Sequence, residues 1–167
     1  MAEAVKQGKT AGRMQYGMVG GGTGAFIGEV HRKAVGLDSK AVLTAGCFSR
    51  SYPVTLETGE ALCVDRERLY ESYTEMAEAE SKREDGIDFV SVVTPNSGHF
   101  VIAKTFLENG ISVVCDKPLT TSYEEAVELQ KLADEKGLLF AVTYTYTGYP
   151  AVKQAREMIK NLSLIHI

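Results

Sequence analysis

Five short stretches hold residue types that bind nucleotides or polarise hydroxyls, and each stands where an apolar run stops. The first spans residues 16–28, YGMVGGGTGAFIG, in which a strand-like run breaks into Gly20, Gly21 and Gly22, then Thr23 and Gly24. A helix-like segment follows. Strand, glycine turn and helix bring a pyrophosphate against backbone N–H groups at a helix N-terminus. Gly20 permits the tight turn, and Gly22 lacks the Cβ that would hold phosphates away. Thr23, Gly24, Phe26 and Ile27 complete the expected cradle. The third glycine of such motifs, where helix and strand pack closely, falls on Ala25 in one register and on Gly28 in another.

The second stretch, Ser49-Arg50, closes the next apolar run. An Asp or Glu at this position hydrogen-bonds the adenosine ribose in NAD-type folds. A guanidinium and a hydroxyl instead suit a 2′-phosphate, through a fork and an added donor, so NADP is slightly favoured over NAD. The third is Thr94-Pro95-Asn96, placed to wrap the nicotinamide ribose, with Asn96 as a donor or a helix cap. The fourth, Asp116-Lys117-Pro118, sets a compact cation in a proline-fixed turn. Beside a nicotinamide such a cation orients a substrate hydroxyl and favours its alkoxide as hydride leaves. The fifth is a tyrosine cluster, with Tyr144 and Tyr146 as substrate-facing candidates and Tyr149 beyond them. It faces a polyol or packs against a following domain. His99 heads a helix and joins the cofactor candidates. Neither it nor His31 has a Cys, His or Asp partner at metal spacing, so packing or capping is expected of both and no metal.

The elements that must position these stretches alternate along the chain. Strands are expected over 16–19, 41–48, 87–93, 111–115 and 138–142, with a further short strand over 68–70. Helices are expected between them, two opened by the capping boxes Ser72-x-x-Glu75 and Ser122-x-x-Glu125, two closed by Gly110 and Gly137. A last helix begins near Ala151, with Val152, Ala155 and Ile159 on one stripe. This alternation is the mark of an α/β fold with a doubly wound parallel sheet, in which ligands bind beyond the carboxyl ends of the strands. All five stretches are at such ends.

Composition narrows the rest. The chain has 167 residues and a formal charge of −4, with no basic block, which argues against nucleic acid. No apolar run reaches membrane-spanning length, and residues 1–13 read as a disordered polar arm. Cys47, Cys63 and Cys115 show neither metal nor disulfide spacing, so buried free thiols in a reducing cytoplasm are expected. Residues 162–167 drop the helical pattern and read as an artefactual tail, the natural frame being cut near Asn161.

Together these stretches resemble the Gfo/Idh/MocA family, from about Met14 to Asn161. The likeness rests on the glycine-rich turn with Gly28-x-x-His31-x-x-Ala34, on Thr94-Pro95-Asn96-x-x-His99 and on Asp116-Lys117-Pro118, where the family usually has Glu-Lys-Pro. It implies a Rossmann domain over 14–143 and a linker with a first helix over 144–161. A second α/β domain, absent from this chain, would follow and carry substrate and oligomer contacts. The activity implied is NAD(P)-dependent hydride transfer at a hydroxyl-bearing carbon of a sugar, inositol or related polyol. The parent would be a cytoplasmic homo-oligomer. Lys117 would be the active-site lysine and Asp116 its neighbour at the ribose. The glycine loop is about three residues longer than the family's usual form. The family's acid/base pair would lie in the absent half. Two other readings are a non-catalytic NAD(P)-binding module and an S-adenosylmethionine-dependent methyltransferase. The latter wants acids before the glycine loop and at the end of strand two, where this chain has Met18-Val19 and Ser49-Arg50.

Overall fold

The computed structural model describes residues 12–161. Of the arm expected over 1–13 only Gly12 and Arg13 fall within them, and the tail expected over 162–167 lies outside. Five strands, β1 (Met14–Gly20), β2 (Ala41–Cys47), β3 (Phe89–Val93), β4 (Ser112–Cys115) and β5 (Phe140–Val142), form one sheet in the order β2-β1-β3-β4-β5. Every pairing is parallel, so all carboxyl ends share one rim. Parallel strands need crossovers. Here these are built on α1 (Phe26–Gly36), α2 (Tyr52–Ala61), α3 (Tyr73–Lys82), α4 (His99–Glu108) and α5 (Tyr123–Lys136), while α6 (Pro150–Lys160) follows the sheet. β2 flanks β1 on one side and β3 on the other, which puts the reversal of strand order between β1 and β3.

Side-chain alternation along the strands feeds two cores. Val19, Val90, Val92, Val113 and Cys115 pack with Met76 of α3, Phe106 and Leu107 of α4 and Leu129 of α5. Tyr16, Met18 and Val93 point the other way, with Phe48, Val64 and Leu69, toward Ile27 and Val35 of α1 and Leu56 of α2. Tyr16 stacks on Phe89 of the neighbouring strand, ring centroids 5.3 Å apart. Both serine caps form, while the glutamates reach back one residue past the cap, to the N–H groups of Glu71 and Thr121, each at 3.2 Å. Ser72 accepts the Glu75 N–H at 3.1 Å, and Ser122 accepts that of Glu125 at 3.2 Å.

Three expected strands begin later than their apolar runs. The Ile111 N–H donates back to the Phe106 carbonyl at 3.0 Å, and that of Leu138 to the Ala133 carbonyl at 2.9 Å. Both residues therefore close the preceding helix beyond its left-handed glycine, Gly110 or Gly137. The Ile87 N–H is taken by the Glu80 carboxylate at 3.1 Å. The strand expected over 68–70 is corrected to a 3₁₀ turn, Arg66–Arg68, with a single parallel bridge between Leu69 and Gly46. Asp65 causes this by accepting the Glu67 N–H at 3.0 Å, which curls the chain before it reaches β2. Cys63 is a second correction: it is exposed, whereas Cys47 and Cys115 are buried free thiols. Burial pushes the Cys47 thiol up to about 11 and that of Cys115 up to about 12, so neither is a nucleophile at neutral pH.

Candidate functional site

The glycine turn leaves β1 at Gly20, which has a positive φ of 86°. The register ambiguity resolves on Gly28. A Cβ there would lie 2.4 Å from the Cα of Gly21, so these two glycines let α1 seat against the end of β1, and Ala25 is instead the residue preceding the helix. Gly22 makes a different close approach from the one its position suggests. A Cβ would meet the Phe48 carbonyl at 3.0 Å, and its N–H already donates to that oxygen at 3.1 Å. The Thr23 N–H is likewise engaged by Thr58 Oγ1 at 3.1 Å. What stays open is the head of α1. An α-helix leaves its first N–H groups without intrahelical partners, and no side chain caps this one. Gly24 and Phe26 are exposed, Phe26 by 79%, and Ile27 is half-buried. A groove of about 460 Å³ runs beside the turn, past Thr23, Gly24, Glu29, Arg32 and Thr58.

At the exit of β2 the Ser49 hydroxyl accepts the Ser51 N–H at 3.1 Å, which leaves its own proton free to donate. Arg50 is exposed and pairs with no carboxylate among the described residues. At the exit of β3, Pro95 and Asn96 are exposed and Thr94 is half-buried. The cap expected of Asn96 is not made: Gly98 precedes α4, with no side-chain bond. His99 is fully buried. Its Nδ1 lies 2.7 Å from the Pro118 carbonyl and its Nε2 2.8 Å from the Thr94 carbonyl. The ring thus braces the β3 and β4 exits against each other, with both polar atoms engaged inside the fold.

Asp116 extends the β3–β4 ladder, its N–H donating to the Val92 carbonyl at 2.9 Å. Its carboxylate is turned inward, accepting from the Thr143 hydroxyl at 2.9 Å with His31 Nε2 3.6 Å away. Lys117, the next residue, is exposed and has no ion-pair partner among the described residues. Beyond β5, Tyr144 and Tyr146 are exposed, and Tyr146 meets Tyr149 edge-on, centroids 5.6 Å apart. The α6 stripe of Val152, Ala155 and Ile159 is exposed as well.

The fold therefore brings the glycine turn and the exits of β2, β3 and β4 side by side along one rim, with the tyrosines at its β5 end. Sequence reasoning missed the His31 cluster. The ring is buried, its Nδ1 2.9 Å from Ser91 Oγ, and its partners Ser91 and Asp116 are 60 and 85 positions distant, beyond any local signal. Burial holds the His31 imidazole below its ordinary range, partly offset by the Asp116 carboxylate. The ring is accordingly neutral at pH 7. Since the unfolded chain takes up this proton first as pH falls, His31 stabilises the fold above about pH 6.5 and that contribution is lost below it. The denaturation midpoint of the wild-type chain is expected to drop more steeply from about pH 7 to 5.5 than that of His31→Asn. Parallel pH profiles for the two proteins would contradict this.

A parallel α/β sheet with a glycine turn and an uncapped helix at its switch point defines a dinucleotide-binding domain. The comparisons with known proteins place it more closely. The family model GFO_IDH_MocA, an oxidoreductase family with an NAD-binding Rossmann fold, matches residues 14–144, and the chain belongs to this family. The uncharacterized oxidoreductase YfiI of Bacillus subtilis is 40% identical over 148 residues, which is 88% of this chain and 38% of that protein. An inositol dehydrogenase homolog of Azotobacter vinelandii, solved with NADH and myo-inositol, superimposes with a TM-score of 0.86 at 42% identity, over 90% of this chain and 40% of its own. An oxidoreductase of Sinorhizobium meliloti gives 0.82 at 50% identity, over 89% and 41%. The chain thus spans about two fifths of the length of these relatives. Among the described residues no helix is long and apolar enough to cross a membrane, and no group of three or more His, Cys, Asp or Glu is placed to hold a metal ion.

Proposed function

We propose that this chain is the cofactor-binding half of an NAD(P)-dependent oxidoreductase acting on a hydroxyl-bearing carbon of a sugar, inositol or related polyol. Residues 14–143 form the cofactor domain in this reading, and 144–161 lead toward a substrate domain. The observation that carries it is the convergence, along one sheet rim, of an uncapped helix N-terminus with two cations, Arg50 and Lys117, that have no carboxylate partner among the described residues. A dinucleotide presents complementary groups in sequence along its length, from a ribose phosphate through the pyrophosphate to the nicotinamide. When bound, its nicotinamide supplies the hydride acceptor or donor.

The chain's own residues do the rest. The N–H groups at the head of α1, with Gly24, Phe26 and Ile27, receive the pyrophosphate. Gly20, Gly22 and Thr23 shape the turn from behind. Ser49 donates its free proton and Arg50 its fork to a phosphate on the adenosine ribose, which slightly favours NADP over NAD. Thr94, Pro95 and Asn96 flank the nicotinamide ribose, and His99 fixes their distance from the Lys117 turn. Asp116, held inward by Thr143 and His31, leaves the Lys117 ammonium available to a substrate hydroxyl, where it stabilises developing alkoxide charge. Tyr144 and Tyr146 offer hydroxyls and ring faces to the polyol.

Titration of the chain with NADPH and NADH, followed by nicotinamide fluorescence, tests the cofactor assignment. Arg50→Ala is expected to weaken NADPH by about tenfold, the loss of a charge-assisted phosphate contact, and NADH by no more than about twofold. Equal losses for both would remove the NADP preference.

A further inference from the structure

Two threonines that no motif singles out tie the glycine turn and the Ser49-Arg50 turn to one helix. Thr55 and Thr58 stand three residues apart on α2, hence on one helical face, and are 0% and 4% exposed. Thr55 Oγ1 accepts the Ser49 N–H at 3.1 Å and donates to the Ser49 carbonyl at 3.3 Å, while the Thr55 N–H donates to the Ser51 carbonyl at 3.1 Å. Thr58 Oγ1 commits its single proton to the Val54 carbonyl at 2.7 Å. Its lone pairs then accept both the Thr23 N–H, at 3.1 Å, and the Thr23 hydroxyl, at 3.2 Å. The Gly22 N–H to Phe48 bond, 3.1 Å, joins the two turns directly.

The Thr55 N–H to Ser51 bond is the first hydrogen bond of α2 itself, but helical stability does not account for the side-chain contacts. The Thr105 hydroxyl of α4 donates to the Val101 carbonyl at 2.8 Å, as that of Thr58 does to Val54, and this hydroxyl makes no other hydrogen bond among the described residues. The further bonds of Thr55 and Thr58 serve the turns. They also set the span between the two turns, because both are pinned to the same rigid helix about one turn apart.

We propose that Thr55 and Thr58 are positioning residues of the dinucleotide site. Thr55 holds the Ser49-Arg50 turn in the shape that reads the adenosine-ribose phosphate. Thr58 holds the glycine turn in the shape that receives the pyrophosphate. The inference rests on the cofactor reading given above and assigns to α2 the spacing between its two ends.

The test uses the whole 167-residue chain, the near-isosteric variants Thr55→Val and Thr58→Val, and Thr55→Ser and Thr58→Ser, which keep the hydroxyl. Affinities for NADPH and NADH are measured beside thermal midpoints. Thr58→Val is expected to weaken both nucleotides alike, by about five- to tenfold, because both carry the pyrophosphate. Thr55→Val is expected to weaken NADPH at least about threefold more than NADH. Both serine variants should bind within about twofold of wild type. Amide exchange supplies a readout independent of how the variants fold: in the wild-type chain the Thr23 and Ser49 N–H groups should exchange more slowly than those of Gly24 and Arg50. Valine variants that bind as wild type, the same pattern of loss for both variants, or fast exchange at Thr23 and Ser49 would each overturn the proposal. A wild-type chain that binds neither nucleotide would overturn the cofactor reading and this proposal together, whereas wild-type binding with unmoved variants would overturn this proposal alone.

Discussion

Lys117→Met, made in a longer protein carrying the proposed substrate domain, is expected to lower turnover by about 10²–10³-fold while leaving NADPH affinity within about twofold. The expectation follows from where charge is present and where it is absent. Lys117 stands at the exit of β4, exposed, one residue after a carboxylate that could neutralise it. That carboxylate faces inward to the Thr143 hydroxyl at 2.9 Å and lies 3.6 Å from the His31 ring. Methionine keeps the unbranched apolar stem of lysine, one heavy atom shorter, but removes the cation. A cation whose main work is done as an alkoxide develops lowers the barrier more than it tightens the ground state, so kcat falls and binding holds. Steady-state rates of cofactor reduction on myo-inositol and a panel of sugars, with nucleotide affinity measured separately, check it. A collapse of nucleotide binding would make Lys117 a cofactor anchor instead.

Glu80→Ala is expected to cost the chain about 3–5 kcal/mol, the range for breaking a buried ion pair from one side. Glu80 is 1% exposed and accepts from Arg68 Nε at 2.9 Å, from the Tyr70 hydroxyl at 2.8 Å and from the Ile87 N–H at 3.1 Å, besides Arg68 Nη2. Burial and Glu80 together raise the Tyr70 phenol well above its ordinary range, so it remains a donor throughout the physiological span. Alanine would leave a guanidinium, a phenol and a backbone N–H without their acceptor in the core. Domains of this size are stable by about 5–15 kcal/mol, and the loss would remove a large share of that. Arg68→Met added to Glu80→Leu should recover the part owed to the stranded guanidinium, because the apolar pair carries no charge, while the Tyr70 hydroxyl and the Ile87 N–H remain without their acceptor. Denaturant midpoints of the single and double variants decide the matter. A loss below about 1 kcal/mol for Glu80→Ala, or a double variant worse than both singles, would contradict the account. This cluster also reaches Gln15 at the start of β1, through Arg68 Nη1 at 2.9 Å. It anchors the edge of the sheet opposite the cofactor rim, and the rim is left free for ligands.

What could be read in the sequence was what neighbours in sequence decide. The glycine run, the Ser72 and Ser122 caps, the left-handed Gly110 and Gly137, and the alternation of strand and helix are set largely by residues close in sequence, and all are present in the fold. Strand ends were less legible because Ile111 and Leu138 are apolar enough for a strand yet give their N–H groups to the helices before them. The segment at 68–70 failed as a strand for a related reason. Asp65 curls it locally, and Arg68 must turn inward to Glu80. The rim itself was visible as unusual residues at strand ends, but its supports were not. Thr55, Thr58, His31 and Thr143 touch the turns from 6 to 85 positions away, and a lone threonine or histidine on a helix looks the same whether it supports a site or fills a core.

In the proposed reading one rim, from the head of α1 to the β4 exit, receives a single dinucleotide. Amide shift mapping of the isotope-labelled chain during NADPH titration measures this directly. Saturable shifts should gather on Gly24, Phe26, Ile27, Arg50, Asn96 and Lys117, all with one dissociation constant. No saturable shift, or shifts gathered at the opposite edge around Arg68 and Asp85, would contradict it.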